Sequence, residues 1–325
     1  MSEIIKIDAK DRHLLFELDR NSRQSIHDLA RKTKLNRDVV AYRMKRLEKA
    51  GIIQDYITII DFTKFDYQIS RIYLQLQKTT PEIEQRMVQM LVEEKSVFTV
   101  YKIDGNYQLA MGFLFKDLRQ FNFFWQKFLE VFKPYIAEQN ISPFIDYFHF
   151  NRNYLVEKSL RDEKPLSVAS FKSYAYHSED ILLLHIIKEN SRITLLELAK
   201  KLHMTPAGVR YKLRNLEKNK VIVAYKLLLD SAKLGYNYYK IDLELEDLKI
   251  IPALHEFISR NPNVIYRDVA LSCSDFEFDV ELRNQDMLYA LIEKIKSLFP
   301  GKIRRWYYYK TLKIYKYSYL PGEII

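Results

Sequence analysis

The stretch NSRQSIHDLA at residues 21–30 returns as NSRITLLELA at residues 190–199. The two copies align without a gap from residues 11–67 to residues 180–236, and 19 of those 57 positions are identical. Each copy has the helical spacing and turn residues of a small three-helix unit. The chain therefore carries one helical module twice, and the rest of the sequence is best interpreted as two successive repeats.

Size and charge narrow the class of protein. The chain has 325 residues, 39.0 kDa and 48% hydrophobic residues, which predicts two or more ordinary globular domains. Its formal charge of +10 and pI near 9.2 favour an acidic partner, with nucleic acid ahead of an anionic membrane. Cys273 is the only cysteine, which excludes an internal disulfide and fits a reducing cytoplasm. The N-terminal ten residues lack the apolar core of a signal peptide.

Capping signals divide the first module into three helices. Asp8, Ser25 and Asn36 are predicted N-caps, and Gly51 suits the left-handed position after the third helix. In the second copy Lys220 replaces that glycine, which predicts a less sharply defined helix end. The third helices carry apolar stripes at i, i+4 and i+7: Val40, Met44 and Leu47, and then Val209, Leu213 and Leu216.

A different pattern follows each helical module. Alternating apolar residues, helical stretches and the hairpin signal Asp104-Gly105-Asn106 predict the order β-α-β-β-α-β, the split ferredoxin-like arrangement. The prediction is an α+β protein with two winged helix-turn-helix domains, each followed by a ferredoxin-like domain, arranged as an internal pseudo-dimer. The predicted boundaries are 1–62 and 67–150 for the first pair, 151–173 for a polar linker, and 174–231 and 236–320 for the second pair.

The third helix of such a module enters the major groove of DNA, and its face opposite the apolar stripe carries the contacts. That face is basic in both copies, with five basic against two acidic residues at 36–50 and five against one at 205–220. Arginine grips guanine in a bidentate manner and lysine offers a point charge to phosphate. The predicted DNA-binding residues are Arg37, Asp38, Tyr42, Arg43, Lys45 and Arg46, and Ala207, Arg210, Tyr211, Lys212 and Arg214.

The two heads differ at positions that face the DNA in this interpretation. Ala41 corresponds to Arg210, and Asp38 corresponds to Ala207. Asp38 either accepts from a cytosine amino group or orients a neighbouring arginine, and we favour the second. Unequal heads predict an imperfect inverted repeat in double-stranded DNA rather than a strict palindrome.

These runs resemble the leucine-responsive (Lrp/AsnC) regulators of bacteria and archaea. The resemblance lies in the motifs Asn-Ser-Arg and Leu-Ala, and in the helices VAYRMKRLE at 40–48 and VRYKLR at 209–214. It implies a cytoplasmic transcription regulator whose ferredoxin-like domains pair through their sheets, with basal transcription machinery, a small-molecule effector and further self-association as additional partners. A usual member is one such unit that dimerises, whereas this chain fuses two.

The resemblance also implies an effector site near the hairpin between the second and third strands of each ferredoxin-like domain. Gly105, Asn106 and Tyr107 resemble the family's Gly-x-Tyr-Asp motif, but Gln108 stands where aspartate is usual. The second copy reads Ser-Asp-Phe-Glu at residues 274–277 and has no glycine there. These departures favour a structural pairing surface over an amino-acid sensor at this hairpin.

Two other functions compete with DNA binding. Fused sirohaem decarboxylases of haem biosynthesis share this two-part architecture, but residues 97–103 lack the histidine that their second strand carries. No metal-type histidine pair and no recognisable serine or cysteine nucleophile occurs, so we predict no catalysis, no metal and no cofactor. An RNA-binding sheet is suggested by the rings and cations of residues 304–317, although rings packed inward with lysines guarding a sheet edge explain them more simply.

Overall fold

The computed structural model describes residues 4–156, 165–170, 172–271 and 274–318. Cys273, the linker residues 157–164 and the predicted end of the second ferredoxin-like domain at residues 319–320 lie outside the described residues. The helices are α1 (Ala9–Arg20), α2 (Ile26–Thr33), α3 (Arg37–Lys49), α4 (Pro81–Glu93), α5 (Leu118–Phe132), α6 (Ser178–Glu189), α7 (Leu195–Lys201), α8 (Pro206–Lys218), α9 (Ile251–Ser259) and α10 (Gln285–Leu298).

The strands alternate with these helices in the order that the sequence predicts. They are β1 (Ile53–Ile60), β2 (Gln68–Leu76), β3 (Val97–Asp104), β4 (Leu109–Phe115), β5 (Ile136–His149), β6 (Leu166–Ser167), β7 (Ile222–Leu229), β8 (Asn237–Leu245), β9 (Val264–Ala270), β10 (Phe276–Leu282) and β11 (Ile303–Tyr317). Each copy is therefore a three-helix head and a wing strand followed by β-α-β-β-α-β, which confirms the predicted fold class.

Most of the predicted helix caps are present. The Asp8 side chain accepts from the amide of Asp11 in a capping box. The Ser25 side chain caps α2 by accepting from the amide of Asp28. Asn36 occupies the N-cap position of α3, but its side chain makes no capping hydrogen bond. The expected difference at the other end of the third helix is absent, because Gly51 and Lys220 adopt the same left-handed backbone, with φ of +66° and +54°. Lysine accepts this conformation at an energetic cost that glycine does not bear.

The two wing strands are exchanged between the copies. Strands β1 and β7 pair with each other antiparallel as a two-stranded ribbon. Leu227 and Leu229 of β7 complete the core of the first head, whereas Ile60 of β1 and Phe65 complete the core of the second. The Thr58 hydroxyl donates to the carbonyl of Ile187 in α6 at 2.7 Å. Neither head has a complete core without a strand from the other copy.

The ferredoxin-like halves join into one closed barrel. Hydrogen bonding runs in the order β2-β4-β3-β11-β8-β10-β9-β5, and β5 also pairs with β2, so the ring of eight strands closes, with β6 added to β5. The long strands β5 and β11 begin in their own half and end beside β9 and β3 of the other half. Apolar side chains on the outer face pack with those of α4 and α5 in the first half and of α9 and α10 in the second.

The position of β11 corrects one sequence expectation. This strand is hydrogen-bonded to β8 on one side and to β3 on the other, so its lysines do not guard a sheet edge. Trp306 and Tyr308 pack with the helix-covered core, and Tyr309 stacks on Tyr73 with ring centroids 5.4 Å apart. The rings of this strand are therefore packing groups within a barrel wall.

The barrel interior is charged, and the charges are unequally divided between the copies. Arg71 of the first copy donates to Asp268 at 2.6 Å and also to Glu277. Lys240 lies 2.8 Å from both of these carboxylates and within 3.7 Å of Asp242, and Asp279 completes the set. Four carboxylates thus surround two cations; Asp242, Glu277, Asp279 and Lys240 are buried, Asp268 and Arg71 are nearly so, and all four carboxylates belong to the second copy.

A second buried ion pair network fixes the heads on the barrel. Arg152 follows β5, and its guanidinium donates to Asp19 of α1 at 2.7 Å and to Glu281 of β10 at 3.0 Å. All three side chains are buried. Leu155, three residues after Arg152, packs in the core of the first head. The start of the connecting segment is therefore a built-in structural element of the protein.

Replacing Arg152 with alanine leaves Glu281 buried without its cation and leaves Asp19 with Lys226 at 3.8 Å as its remaining cation. We expect a loss of about 3–5 kcal/mol in the free energy of unfolding, since breaking a buried ion pair from one side is costly. Urea unfolding followed by circular dichroism measures this change. Arg260→Ala is the matched control, because Arg260 pairs with Glu256 on the surface and should contribute little. Equal effects of the two variants would contradict the assignment.

Two buried carboxyl groups make the barrel less stable as the pH rises through the acid range. Burial raises the pKa of Asp279 to about 6 and the pKa of Asp242 to about 7. Between about pH 4 and pH 7 these two groups hold protons in the folded state that the unfolded chain releases, so their contribution to stability falls with rising pH. Burial lowers the pKa of His149 and acts in the opposite direction. We expect Asp279→Asn to remove the part of the dependence due to Asp279 and to raise the urea midpoint at pH 8. Asp247→Asn, at a half-buried surface carboxylate that pairs with Lys302 at 3.0 Å, should not raise it.

Candidate nucleic-acid interface

The third helix of each head presents one exposed face. The stripe residues Val40, Met44 and Leu47 of α3 are buried, as are Val209, Leu213 and Leu216 of α8. On the opposite face Tyr42 is 66% exposed and Tyr211 is 73% exposed. These two tyrosines occupy equivalent positions in the two heads.

The remaining side chains of this face are also open to solvent. Arg37, Asp38, Lys45 and Arg46 of α3 are exposed, as are Ala207, Arg210 and Arg214 of α8. Within the described part of the chain, Lys45, Arg210 and Arg214 make no ion pair, and Arg37 contacts the His27 ring nitrogen at 2.8 Å. These cations are therefore available to phosphates and base edges. The structure does not place Asp38 against an arginine.

Three of the predicted DNA-binding residues are tied to the protein instead. Arg43 donates to Asp8 at 2.8 Å and to Asp11 at 2.7 Å, Arg46 also donates to Asp11, and Lys212 donates to Asp180 at 2.9 Å. Arg43 and Lys212 are half-buried at equivalent positions and connect the third helix to the first turn of the first helix. Their charge still adds to the local field, but their donors are engaged within the head.

The start of α8 is more firmly fixed than the start of α3. The Thr205 hydroxyl accepts from the amide of Gly208 at 3.1 Å, and Pro206 occupies the first turn, where a missing amide hydrogen costs nothing. These two residues hold the N-terminal turn of α8 in place, and in a helix-turn-helix that turn approaches the base edges.

The repeated Asn-Ser-Arg motif lies between the heads. The hydroxyls of Ser22 and Ser191 form a buried hydrogen bond of 2.7 Å. Arg23 donates to the carbonyl of Ser191, and Arg192 donates to the carbonyl of Ser22. Because each contact of one head has its counterpart in the other, the two heads are related by an approximate two-fold axis through the serine pair.

Aromatic rings on the wing strands extend the same contact. The Arg23 guanidinium lies 5.6 Å from the ring centroid of Tyr225 on β7, and that of Arg192 lies 5.3 Å from the Tyr56 ring on β1. The Ser191 amide donates to the Tyr56 carbonyl at 2.7 Å. The motif thus joins the two heads. Its sequence alone does not reveal this role, because the contact is made between residues 169 positions apart.

The hairpin considered for an effector is occupied by the protein itself. Gly105 has φ of +145°, and a Cβ there would lie 2.8 Å from the Tyr308 carbonyl oxygen of β11. Tyr107 is buried against Tyr73 and Tyr309, and Asn106 is exposed. The close approach that this glycine permits is therefore one between strands of the two halves.

Metal binding and membrane insertion find no support in the described part of the chain. Its histidines, aspartates and glutamates do not gather into a group of three suited to a metal ion. Its helices are too short or too polar to cross a bilayer.

Comparison with known proteins agrees with the geometry of the heads. A model described as winged helix-turn-helix DNA-binding matches residues 7–54 and again residues 180–223. An uncharacterized HTH-type transcriptional regulator of Pyrococcus abyssi is 28% identical over 135 residues, which are 41% of this chain and 86% of that protein. Another, of Pyrococcus horikoshii, is 30% identical over 121 residues, which are 36% of this chain and 77% of that protein.

A solved structure resembles the whole chain. The crystal structure of the siroheme decarboxylase NirDL superposes with a TM-score of 0.63 over 97% of this chain and 94% of that one, at 12% identity. At this level of identity the likeness shows a shared fold.

The two exposed helices, the repeated DNA-binding model and the regulator relatives define a DNA-binding transcription regulator with two winged helix-turn-helix heads. The HTH-type transcriptional regulator LrpB of Bacillus subtilis is 33% identical over 61 residues, which are 19% of this chain and 41% of that protein. The chain belongs to the HTH-type transcriptional regulators and carries their DNA-binding domain twice, and the match to LrpB agrees with its resemblance to the Lrp/AsnC regulators.

Proposed function

We propose that one chain binds a single DNA duplex with both heads at once, at an imperfect inverted repeat near a promoter. The observation that carries this proposal is the approximate two-fold relation of the heads about Ser22 and Ser191, combined with equivalent exposed tyrosines on α3 and α8. Two-fold protein symmetry is matched by inverted half-sites whose centres lie about one helical turn, or a multiple of it, apart. Both half-sites are then read without a preceding dimerisation step.

The exposed residues divide into two roles in this proposal. Lys45 and Arg37 supply phosphate contacts, which dominate affinity and make it depend on salt, and Arg46 adds its charge while it pairs with Asp11. Arg210 and Arg214 reach base edges from the exposed face of α8, and Tyr42 and Tyr211 pack on thymine methyls or donate to phosphate. The second head thus has more capacity to select a sequence than the first.

Partners beyond DNA belong to the same proposal. As a transcription regulator, the chain acts beside the basal transcription machinery. Its location in this proposal is the cytoplasm of a cell without a nucleus. Further self-association of the barrel and control by a small-molecule effector are common to the family that the chain resembles. The occupied hairpin at Gly105 makes that hairpin a pairing surface rather than the effector site.

Catalysis is the second candidate, because the likeness to NirDL extends over nearly the whole chain. We propose that this chain regulates and does not catalyse, since its heads keep open, basic reading helices and its barrel cavity of about 130 Å³ is far too small for a tetrapyrrole. Titration with sirohaem distinguishes the two functions. A new visible absorption spectrum and loss of carboxyl groups would favour the enzyme.

Selection from a random duplex library, followed by footprinting of the enriched site, tests the main proposal. We expect two related but unequal half-sites in opposite orientation and protection of both by a single chain. Enrichment of a single half-site, or binding that ignores sequence, would contradict simultaneous reading by two heads. The measurement also gives the half-site spacing directly.

Arg210→Ala should reduce affinity for the preferred site by about 1–3 kcal/mol and relax selection at one base position, if Arg210 grips a guanine. The reciprocal variant Ala41→Arg gives the first head the same side chain, and we expect the two half-site preferences to converge. Gel-shift titration against both half-site sequences measures each change. An equal loss on all sequences would make Arg210 a phosphate contact.

Lys45→Ala should weaken binding to every sequence by a similar factor, because a phosphate contact carries no sequence information. The slope of log K against log salt should become less negative by about one. Lys218→Ala, at the far end of α8, serves as the comparison on the same family of duplexes. A changed base preference in Lys45→Ala would assign that lysine to direct readout.

A further inference from the structure

The barrel holds a partly open cavity of about 130 Å³ between the two halves. Tyrosines recur in its wall, together with apolar side chains and a few charged groups. The lining includes Tyr73, Tyr101, Tyr147, Tyr238, Tyr266 and Asp279. A cavity of this size holds a molecule of about six non-hydrogen atoms.

Several polar atoms of this wall lack a hydrogen-bond partner. They are the hydroxyls of Tyr73 and Tyr147 and the Oδ1 atom of Asp279. The three side chains are more than nine-tenths buried, with 4%, 8% and 5% of their residue surfaces exposed. A buried polar group without a partner is costly, and protein interiors rarely keep three around one cavity unless something else satisfies them.

The open polar valences of the cavity bear on the sign of a ligand. Arg71 and Lys240 are engaged by Asp268 and Glu277, although the Nε atom of Arg71 keeps no hydrogen-bond partner among the described residues. Asp268 and Asp279 line the cavity beside these cations, and the Oδ1 atom of Asp279 lies 3.6 Å from Lys240, beyond hydrogen-bonding distance. A cationic guest would supply the donor that this oxygen lacks.

The rings favour the same sign. Aromatic faces attract cations that lie within about 6 Å of the ring centroid, and the attraction is strongest where water is excluded. The protein already uses this chemistry in the barrel, because Arg71 lies 4.9 Å from the ring centroid of Tyr73 and 4.8 Å from that of Phe144. Tyr101, Tyr238 and Tyr266 line the cavity as well.

We propose that the barrel interior is a binding site for a small organic cation, an alkylamine or quaternary ammonium of about six non-hydrogen atoms. Asp279 accepts from or pairs with the ammonium group, the unpaired hydroxyls of Tyr73 and Tyr147 complete its polar contacts, and the rings cover the alkyl part. This site lies inside the barrel, apart from the hairpin at Gly105 and from the reading helices.

Calorimetric titration of the full chain at pH 8 tests the proposal, with 1,4-diaminobutane and tetramethylammonium as the probes. The neutral diol 1,4-butanediol has the same length as the diamine and is the matched ligand control. We expect heat of binding and a raised thermal midpoint with at least one of the cations and neither effect with the diol. Binding of the diol as tightly as the diamine, or silence with both cations, would overturn the proposal.

Two variants locate the binding. Asp279→Asn keeps the shape of the side chain and removes its charge, and we expect at least a tenfold loss of affinity for the cation. Ala110→Leu adds bulk to the cavity wall and should abolish binding even if the first variant is poorly folded. Asp247→Asn, on the surface, should bind as the unaltered chain does. Binding that survives both cavity variants would contradict a site in the barrel.

These measurements need no DNA. Their failure leaves the proposed reading of an inverted repeat untouched, and a failure of that proposal leaves the cavity site to stand or fall on its own titration.

Discussion

The exchange of wing strands between the two copies is the constraint on which the rest of the structure depends. Because β1 completes the core of the second head and β7 completes that of the first, the heads cannot separate without exposing both cores. The buried serine pair at residues 22 and 191 then fixes their relative rotation. A DNA duplex offers its half-sites at a set spacing and phase, so heads held in this way meet it with little entropy left to lose.

The two halves of the barrel are also joined by elements that cross between the copies. Its strands β5 and β11 cross from one half into the other, and the ion pairs of Arg71 bridge the halves in the interior. Arg152 connects this barrel to the first head through Asp19 and Glu281. Hydrogen-bonded strands, buried charges and shared apolar cores therefore join the two heads and the two ferredoxin-like halves into one unit.

The sequence predicts the elements well and their mutual contacts poorly. Capping residues and apolar spacing locate the heads, and the alternation Phe276, Phe278, Val280 identifies a strand with one buried face. The same alternation assigns Glu277 and Asp279 to the other face, where a single sheet would leave them in water. Closure of the barrel buries that face instead, and closure depends on strands that lie far apart in the chain. Likewise, Arg43 has the sequence context of a DNA contact, and only the fold reveals its carboxylate partners.

The unequal barrel interior has a consequence for which halves can pair. Two second-copy units paired with each other would bring together eight carboxylates and two lysines, and two first-copy units would confront two arginines with no carboxylate from the described cavity lining. The charged side chains of each half are thus complemented by the other half and not by a second copy of the same half.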